Sequence, residues 1–181
     1  DGGATLIQIR EKHASSCAFL ADLESVAARA ATAGARLIVN DRADLARLSH
    51  AAGVHVGQED VSPADVRAVV GDGALVGLST HTEAQLEAGL LEPVDYLAIG
   101  PVFGTTTKDT GYDAVGLSLV AQAAALVDGR RPLVAIGGIT LDSAASVIEA
   151  GATSVAVISD LLVGGDPAVR VRAFLERLSR V

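Results

Sequence analysis

Gln8, Arg10 and Lys12 alternate along one short stretch, so an extended backbone turns all three to the same side. Two cations so placed, in a chain of net charge −8, suit a bound anion. An exposed strand end with solvated charges, and Glu11 paired to a neighbour, would account for them as well. Asn40-Asp41 and Asp60 follow the next two apolar runs. Mg2+ is commonly held by one or two carboxylates, with water and phosphate oxygens completing its shell. Asp41 and Asp60 near Arg10, Lys12 and Lys108 therefore suit a Mg2+-diphosphate, which needs both acids. Each acid alone has a plainer role: Asp41 as the N-cap of a helix over residues 42–51, Asp60 as a loop acid near Ser62.

Later in the chain, Ile136-Gly137-Gly138-Ile139 and Ile158-Ser159 each end an apolar run. Glycines let backbone N–H groups approach an anion closely, and in barrels the last two loops often bind phosphate. A tight turn that simply requires Gly is the alternative. Thr105-Thr106-Thr107 offers hydroxyls and no carboxylate, again suited to phosphate, and Lys108 adds a cation. Ser79-Thr80-His81 ends another run, and His81 is the one histidine placed to act as an acid or base. A lone histidine at a strand end more often serves structure or donates a hydrogen bond. No Ser-His-Asp or Cys-His arrangement is apparent, and Cys17, in an apolar helix, is expected in the core. Two anion sites in one mouth imply group transfer or joining, with charge stabilisation of a leaving diphosphate in place of strong acid-base chemistry. A phosphosugar isomerase is the plainer rival, because it needs only the second site.

The elements that must carry these residues are short apolar runs rich in Val and Ile, at 6–9, 37–39, 54–56, 74–78, 96–99, 133–136 and 154–158. Such runs fit strands of a parallel sheet buried on both faces. Ala-rich stretches with helical spacing lie between them, among them 19–33 and 117–127. Ser62-Pro63 and the capping box Thr80-His81-Thr82-Glu83 mark helix starts, and Gly34, Gly53, Gly71, Gly129 and Gly151 mark helix ends. The result is one α/β domain over residues 1–181. No GxGxxG follows a strand, which weakens a dinucleotide-binding fold. Residues 1–6 resemble residues 150–155, where a helix has ended and a strand begins. With the absence of Met, this predicts a preceding β-α unit outside the given sequence. Seven units plus one make a (β/α)8 TIM barrel, and the polar residues then share its catalytic rim, with residues 101–116 as a lid.

Half of the residues are apolar and a fifth charged, a globular balance. A pI near 4.8 without a Lys/Arg cluster argues against nucleic acid and anionic membranes as partners. No apolar run approaches the length of a membrane span. The single cysteine fits a reducing cytoplasm. The expected partners are small-molecule substrates, with a homo-oligomer left open.

Five blocks in order resemble the thiamine-phosphate synthase family: residues 8–12, 39–42, 53–60, 100–103 with 105–108, and 136–139. The resemblance runs over essentially the whole chain. It implies a (β/α)8 barrel that joins hydroxymethylpyrimidine diphosphate to hydroxyethylthiazole phosphate and releases diphosphate. It further implies that Gln8, Arg10, Lys12, Asn40 and Lys108 contact the pyrimidine diphosphate, Ser79 touches its diphosphate, and Asp41 and Asp60 hold Mg2+. Arg10, Lys12 and Lys108 would be the catalytic cations. Thr105, Thr107, Gly138, Ile158 and Ser159 match positions that hold the thiazole phosphate. The family's first strand and helix have no counterpart here, so an open seam is expected, and residues 109–114 depart from the family pattern. Two other readings compete: a thiazole tautomerase of the same fold, which would use His81, and a catalytically silent thiamine phosphate-binding paralogue.

Overall fold

Branched residues fill the strands and Ala, Leu and Arg the helices, and the two alternate along the chain in a computed structural model that describes residues 2–105 and 111–181. The order is β1 (Leu6–Ile9), α1 (Ser16–Thr32), β2 (Arg36–Asn40), α2 (Ala43–Leu48), β3 (Gly53–Val56), α3 (Pro63–Val70) and β4 (Leu75–Thr80). It continues with α4 (Glu83–Leu90), β5 (Tyr96–Ile99), α5 (Gly116–Val127), β6 (Leu133–Ile136), α6 (Ala144–Glu149) and β7 (Ser154–Ala156). A 3-10 turn (Ser159–Leu162) and α7 (Pro167–Leu178) complete it. Among the described residues no helix is long and apolar enough to cross a membrane.

The chain divides into two compact units. The N-terminal unit holds Ala4–Leu78 and Glu92–Asp95; the C-terminal unit holds Ser79–Leu91, Tyr96–Val181 and the first residues up to Gly3. In each, strand order follows the chain. In the N-terminal unit β1 pairs with β2 (Ile9 opposite Val39), β2 with β3 (Asn40 opposite His55) and β3 with β4 (Val54 opposite Val76), all parallel. Its core is Leu23, Leu37, Ile38, Val54, Val66 and Val76, all fully buried. Each such side chain contributes roughly 1.5–3 kcal/mol by leaving water. At the start of β4, Arg67 donates to the carbonyls of Gly71, Ala74 and Pro93 and to Asp95, whose Oδ2 also accepts from Val76 N.

In the C-terminal unit β5 pairs with β6 (Ala98 opposite Val134) and β6 with β7 (Ala135 opposite Val155), again parallel. The last residue of β4 runs beside β5: Thr80 Oγ1 donates to Ala98 O (2.8 Å) and Gly100 N to Thr80 O (3.2 Å). Leu86, Leu97, Ile99, Val120, Leu133 and Val147 form the core.

Parallel α/β order agrees with the sequence reading; four details do not. Burial on both faces holds for β3 and β5, but β1 is exposed along three of its four residues and β7 is only half-buried. Among the described residues each of these two pairs with one neighbour. Gly53 ends no helix: it opens β3, where a Cβ would come within 2.2 Å of Leu75 O. The cap of α4 is Thr82, which accepts from Gln85 N, and not Thr80, whose hydroxyl is taken by β5. Cys17 is exposed, since it lies on the outer side of α1.

Candidate functional site

Lys12 and Asp41 come from the ends of neighbouring strands, and the structure joins them directly. The Lys12 ammonium donates to Asp41 Oδ2, with Asp41 the more sheltered of the two. Asp41 does not cap α2, as one sequence alternative had it: its backbone is left-handed (φ 61°), and Arg42 occupies the N-cap position. That conformation is costly for most L-residues and tolerated best by Asp and Asn. It is fixed by three backbone bonds, Asp41 N to His55 O (2.8 Å), Arg42 N to Asn40 O (2.8 Å) and Ala43 N to Asp41 O (3.2 Å). Asn40, half-buried, ends β2 immediately before it. Asp60 is exposed beyond the end of β3, its Oδ2 accepting from Gly57 N (2.8 Å). Gln8 and Arg10, at the end of β1, are exposed.

Asp41 and Asp60 thus follow the ends of adjacent parallel strands, both offering hard oxygen donors. No group of three or more His, Cys, Asp or Glu side chains able to hold a metal exists among the described residues. Two carboxylates without a protein cage fit Mg2+, which keeps several waters and takes phosphate oxygens.

Two residues that the sequence reading did not assign hold this region. Glu11 Oε1 accepts from His13 N (2.5 Å) and Ala14 N (3.1 Å), folding the segment between β1 and α1. Those N–H donors hold its carboxyl below the usual carboxylate range. Arg42 forks onto Asp44 (2.6 and 2.9 Å) and reaches Ser16 Oγ (3.2 Å) at the start of α1. The guanidinium lowers the Asp44 pKa, and the carboxylate raises that of Arg42. Sequence around residues 10–12 and 41–44 shows charge; only geometry shows which charges fold loops.

In the C-terminal unit, Gly137 and Gly138 both have positive φ (99° and 64°). They lie against the chain that leaves β5: Val102 N donates to Ile136 O (2.9 Å) and Phe103 N to Gly137 O (3.0 Å). A Cβ on Gly138 would stand 2.6 Å from Gly104 O. Thr105, half-buried, follows Gly104; Thr107 and Lys108 lie outside the described residues, as does Thr106. Ile158 and Ser159, beyond β7, are exposed, and Ser79 is half-buried near the end of β4. His81 is braced on several sides. Its Nδ1 faces Gly100 O, which can only accept, so Nδ1 carries the proton. Its ring stacks on Tyr112 (centroids 4.0 Å apart, 15° between planes), and its backbone N–H donates to Gln85 Oε1 (2.8 Å). Gln85 Nε2 in turn donates to Tyr112 Oη (3.1 Å). No spacing rule would have found Tyr112, which lies 31 residues from His81 in sequence.

The thiamine monophosphate synthase family pattern matches residues 1–161. A thiamine-phosphate synthase of Koribacter versatilis is 48% identical over 177 residues, covering 98% of this chain and 82% of the relative. One from Xanthobacter autotrophicus is 43% identical, covering 95% and 81%. Among solved structures, the thiamine phosphate pyrophosphorylase of Pyrococcus furiosus superposes with a TM-score of 0.89 at 27% identity, over 99% of this chain and 85% of that one. The Bacteroides thetaiotaomicron protein of the same name is similar in fold alone, with a TM-score of 0.68 and 14% identity over 98% and 86%.

Proposed function

The chain belongs to the thiamine-phosphate synthase family, and from that premise we propose that it joins hydroxymethylpyrimidine diphosphate to hydroxyethylthiazole phosphate, giving thiamine phosphate and diphosphate. The bond from the pyrimidine methylene to the diphosphate oxygen breaks, the electron pair leaving with diphosphate. The thiazole nitrogen then forms the new C–N bond to the methylene carbon. The observation that carries this reading is the Lys12–Asp41 pair beside Asn40, a cation and a carboxylate presented together at adjacent strand ends.

Arg10, Lys12 and Lys108 are assigned to the diphosphate, where they favour the charge that grows as it leaves. Gln8, Asn40 and Ser79 orient the pyrimidine substrate. Asp41 and Asp60 would hold Mg2+, which when bound supplies positive charge at the diphosphate oxygens. With the metal held there, Asp41 would give up its Lys12 partner and leave the ammonium free for the substrate. Thr105, Thr107, Gly138, Ile158 and Ser159 are assigned to the thiazole phosphate. A tautomerase has no task for the Lys12–Asp41 pair, and the bracing of His81 by Gly100, Tyr112 and Gln85 favours a positioning role for that ring.

We further read the exposed strand β1 as the place where one more β-α unit would pack, completing a (β/α)8 barrel. The cytoplasm, where Cys17 stays reduced, is the compartment this chemistry fits. The test is diphosphate release by purified protein with both substrates, with Mg2+ and then with EDTA. Release that needs both substrates and the metal, with thiamine phosphate formed, is expected. Release from the pyrimidine diphosphate alone, or none from a folded protein, overturns the assignment.

A further inference from the structure

Asp160 is the only buried carboxylate among the described residues, and it directly follows the exposed pair Ile158-Ser159. A carboxylate is taken out of water at high cost unless donors compensate it. Here they come from two different segments. Oδ2 accepts from Leu141 N (3.2 Å), in the turn that follows Gly137-Gly138, and from Arg170 Nε (2.9 Å) and Nη2 (2.8 Å) on α7. Arg170 in turn lies 5.9 Å from the ring centroid of buried Phe174. One oxygen therefore ties the turn after β6, the turn after β7 and the last helix.

We propose that Asp160 is a positioning residue for the thiazole phosphate, clipping the Gly138 turn to the Ser159 turn so that both present their groups to one anion. The inference rests on the reading of Gly138 and Ser159 as phosphate holders. Arg170 has a second part in it. A bare carboxylate one residue from Ser159 would repel phosphate, and the guanidinium cancels that charge. A merely structural ion pair would steady α7 and affect both substrates alike; the clip affects one.

The experiment measures KM for each substrate, and binding of inorganic phosphate by calorimetry, in the unmodified protein, Asp160→Asn, Arg170→Gln and the double variant. Asp160→Asn is expected to raise the KM for thiazole phosphate roughly tenfold, as a lost charge-assisted bond would, and to leave that for pyrimidine diphosphate within about twofold. Arg170→Gln is expected to cost at least as much, because it leaves the anion uncompensated, and the double variant to be no worse than Arg170→Gln alone. Parallel shifts in both KM values, or no shift in either, overturn the proposal. If Asp160→Asn fails to fold, Arg170→Lys decides: the same one-sided split supports the clip, and its absence overturns it. If the unmodified protein does not turn over, the synthase reading fails separately. Phosphate binding then tests the clip by itself, weakened by Asp160→Asn if the clip is real and unchanged if it is not.

Discussion

On the proposed assignment, Asp41 concentrates the trade between stability and chemistry in one residue. Its left-handed backbone costs about 1–2 kcal/mol for an ordinary L-residue, and its bond to half-exposed Lys12 returns little, since such pairs are worth about 0–1 kcal/mol. Asp41→Gly is therefore expected to hold or raise the melting temperature while abolishing Mg2+-dependent turnover and sparing thiazole phosphate binding. A variant that melts lower, or that still turns over with metal required, would contradict this; a thermal melt beside an activity assay decides. His81 makes the complementary case. Replacing it with Gln is expected to lower kcat/KM less than Arg10→Ala does, because the ring positions Tyr112 and its proton is committed to Gly100; the reverse order would make His81 a proton carrier. The meeting of Lys12 and Asp41 was legible from type and spacing, because both follow strand ends that a parallel sheet sets side by side. Glu11, Arg42 and Asp160 were not, because a charge that folds a loop looks in sequence like one that faces solvent.

Between residue and unit stand the loops and strands that Glu11 and the glycines shape. The Glu11 carboxyl is lowered by the N–H groups of His13 and Ala14. Its bonds thus contribute fully above its ordinary value, about 4.3, and fade as pH falls through the lower folded value. The protection of the His13 and Ala14 amides, taken relative to their intrinsic exchange rates, is expected to fall on acidification in the unmodified protein and to lose that pH dependence in Glu11→Gln. At β3, Gly53→Ala would force a Cβ onto Leu75 O, and a loss of at least ~2 kcal/mol is expected in chemical denaturation. The strands themselves were readable, since Val and Ile in short runs leave few alternatives. The misreadings have a common cause: Gly before a strand serves equally as a helix end or as room for a neighbour, and Thr80-x-x-Glu83 overlaps Thr82-x-x-Gln85. The bonds from Thr80 Oγ1 to Ala98 O and from Gly100 N to Thr80 O assign Thr80 to the strand.

For the whole molecule, the proposed assignments divide by ligand: Gln8, Arg10, Lys12, Asn40, Asp41 and Asp60 of the N-terminal unit with Ser79 of the C-terminal unit for the pyrimidine diphosphate and its metal, and Thr105, Gly138, Ile158 and Ser159 of the C-terminal unit for the thiazole phosphate. Hydrogen exchange with single ligands is expected to follow that division. Pyrimidine diphosphate with Mg2+ should protect amides around residues 10–14 and 40–43, and thiazole phosphate those around 137–141 and 158–160. Protection of the same set by both ligands would erase the two-site assignment. The strand β1 has a further consequence. It pairs with β2 alone among the described residues, and Leu6 and Ile7 are about 40% exposed. An edge strand presents backbone donors and acceptors on which another extended segment can pair. The same strand that carries Gln8 and Arg10 is thus one whose covering is a question of solubility before it is one of catalysis.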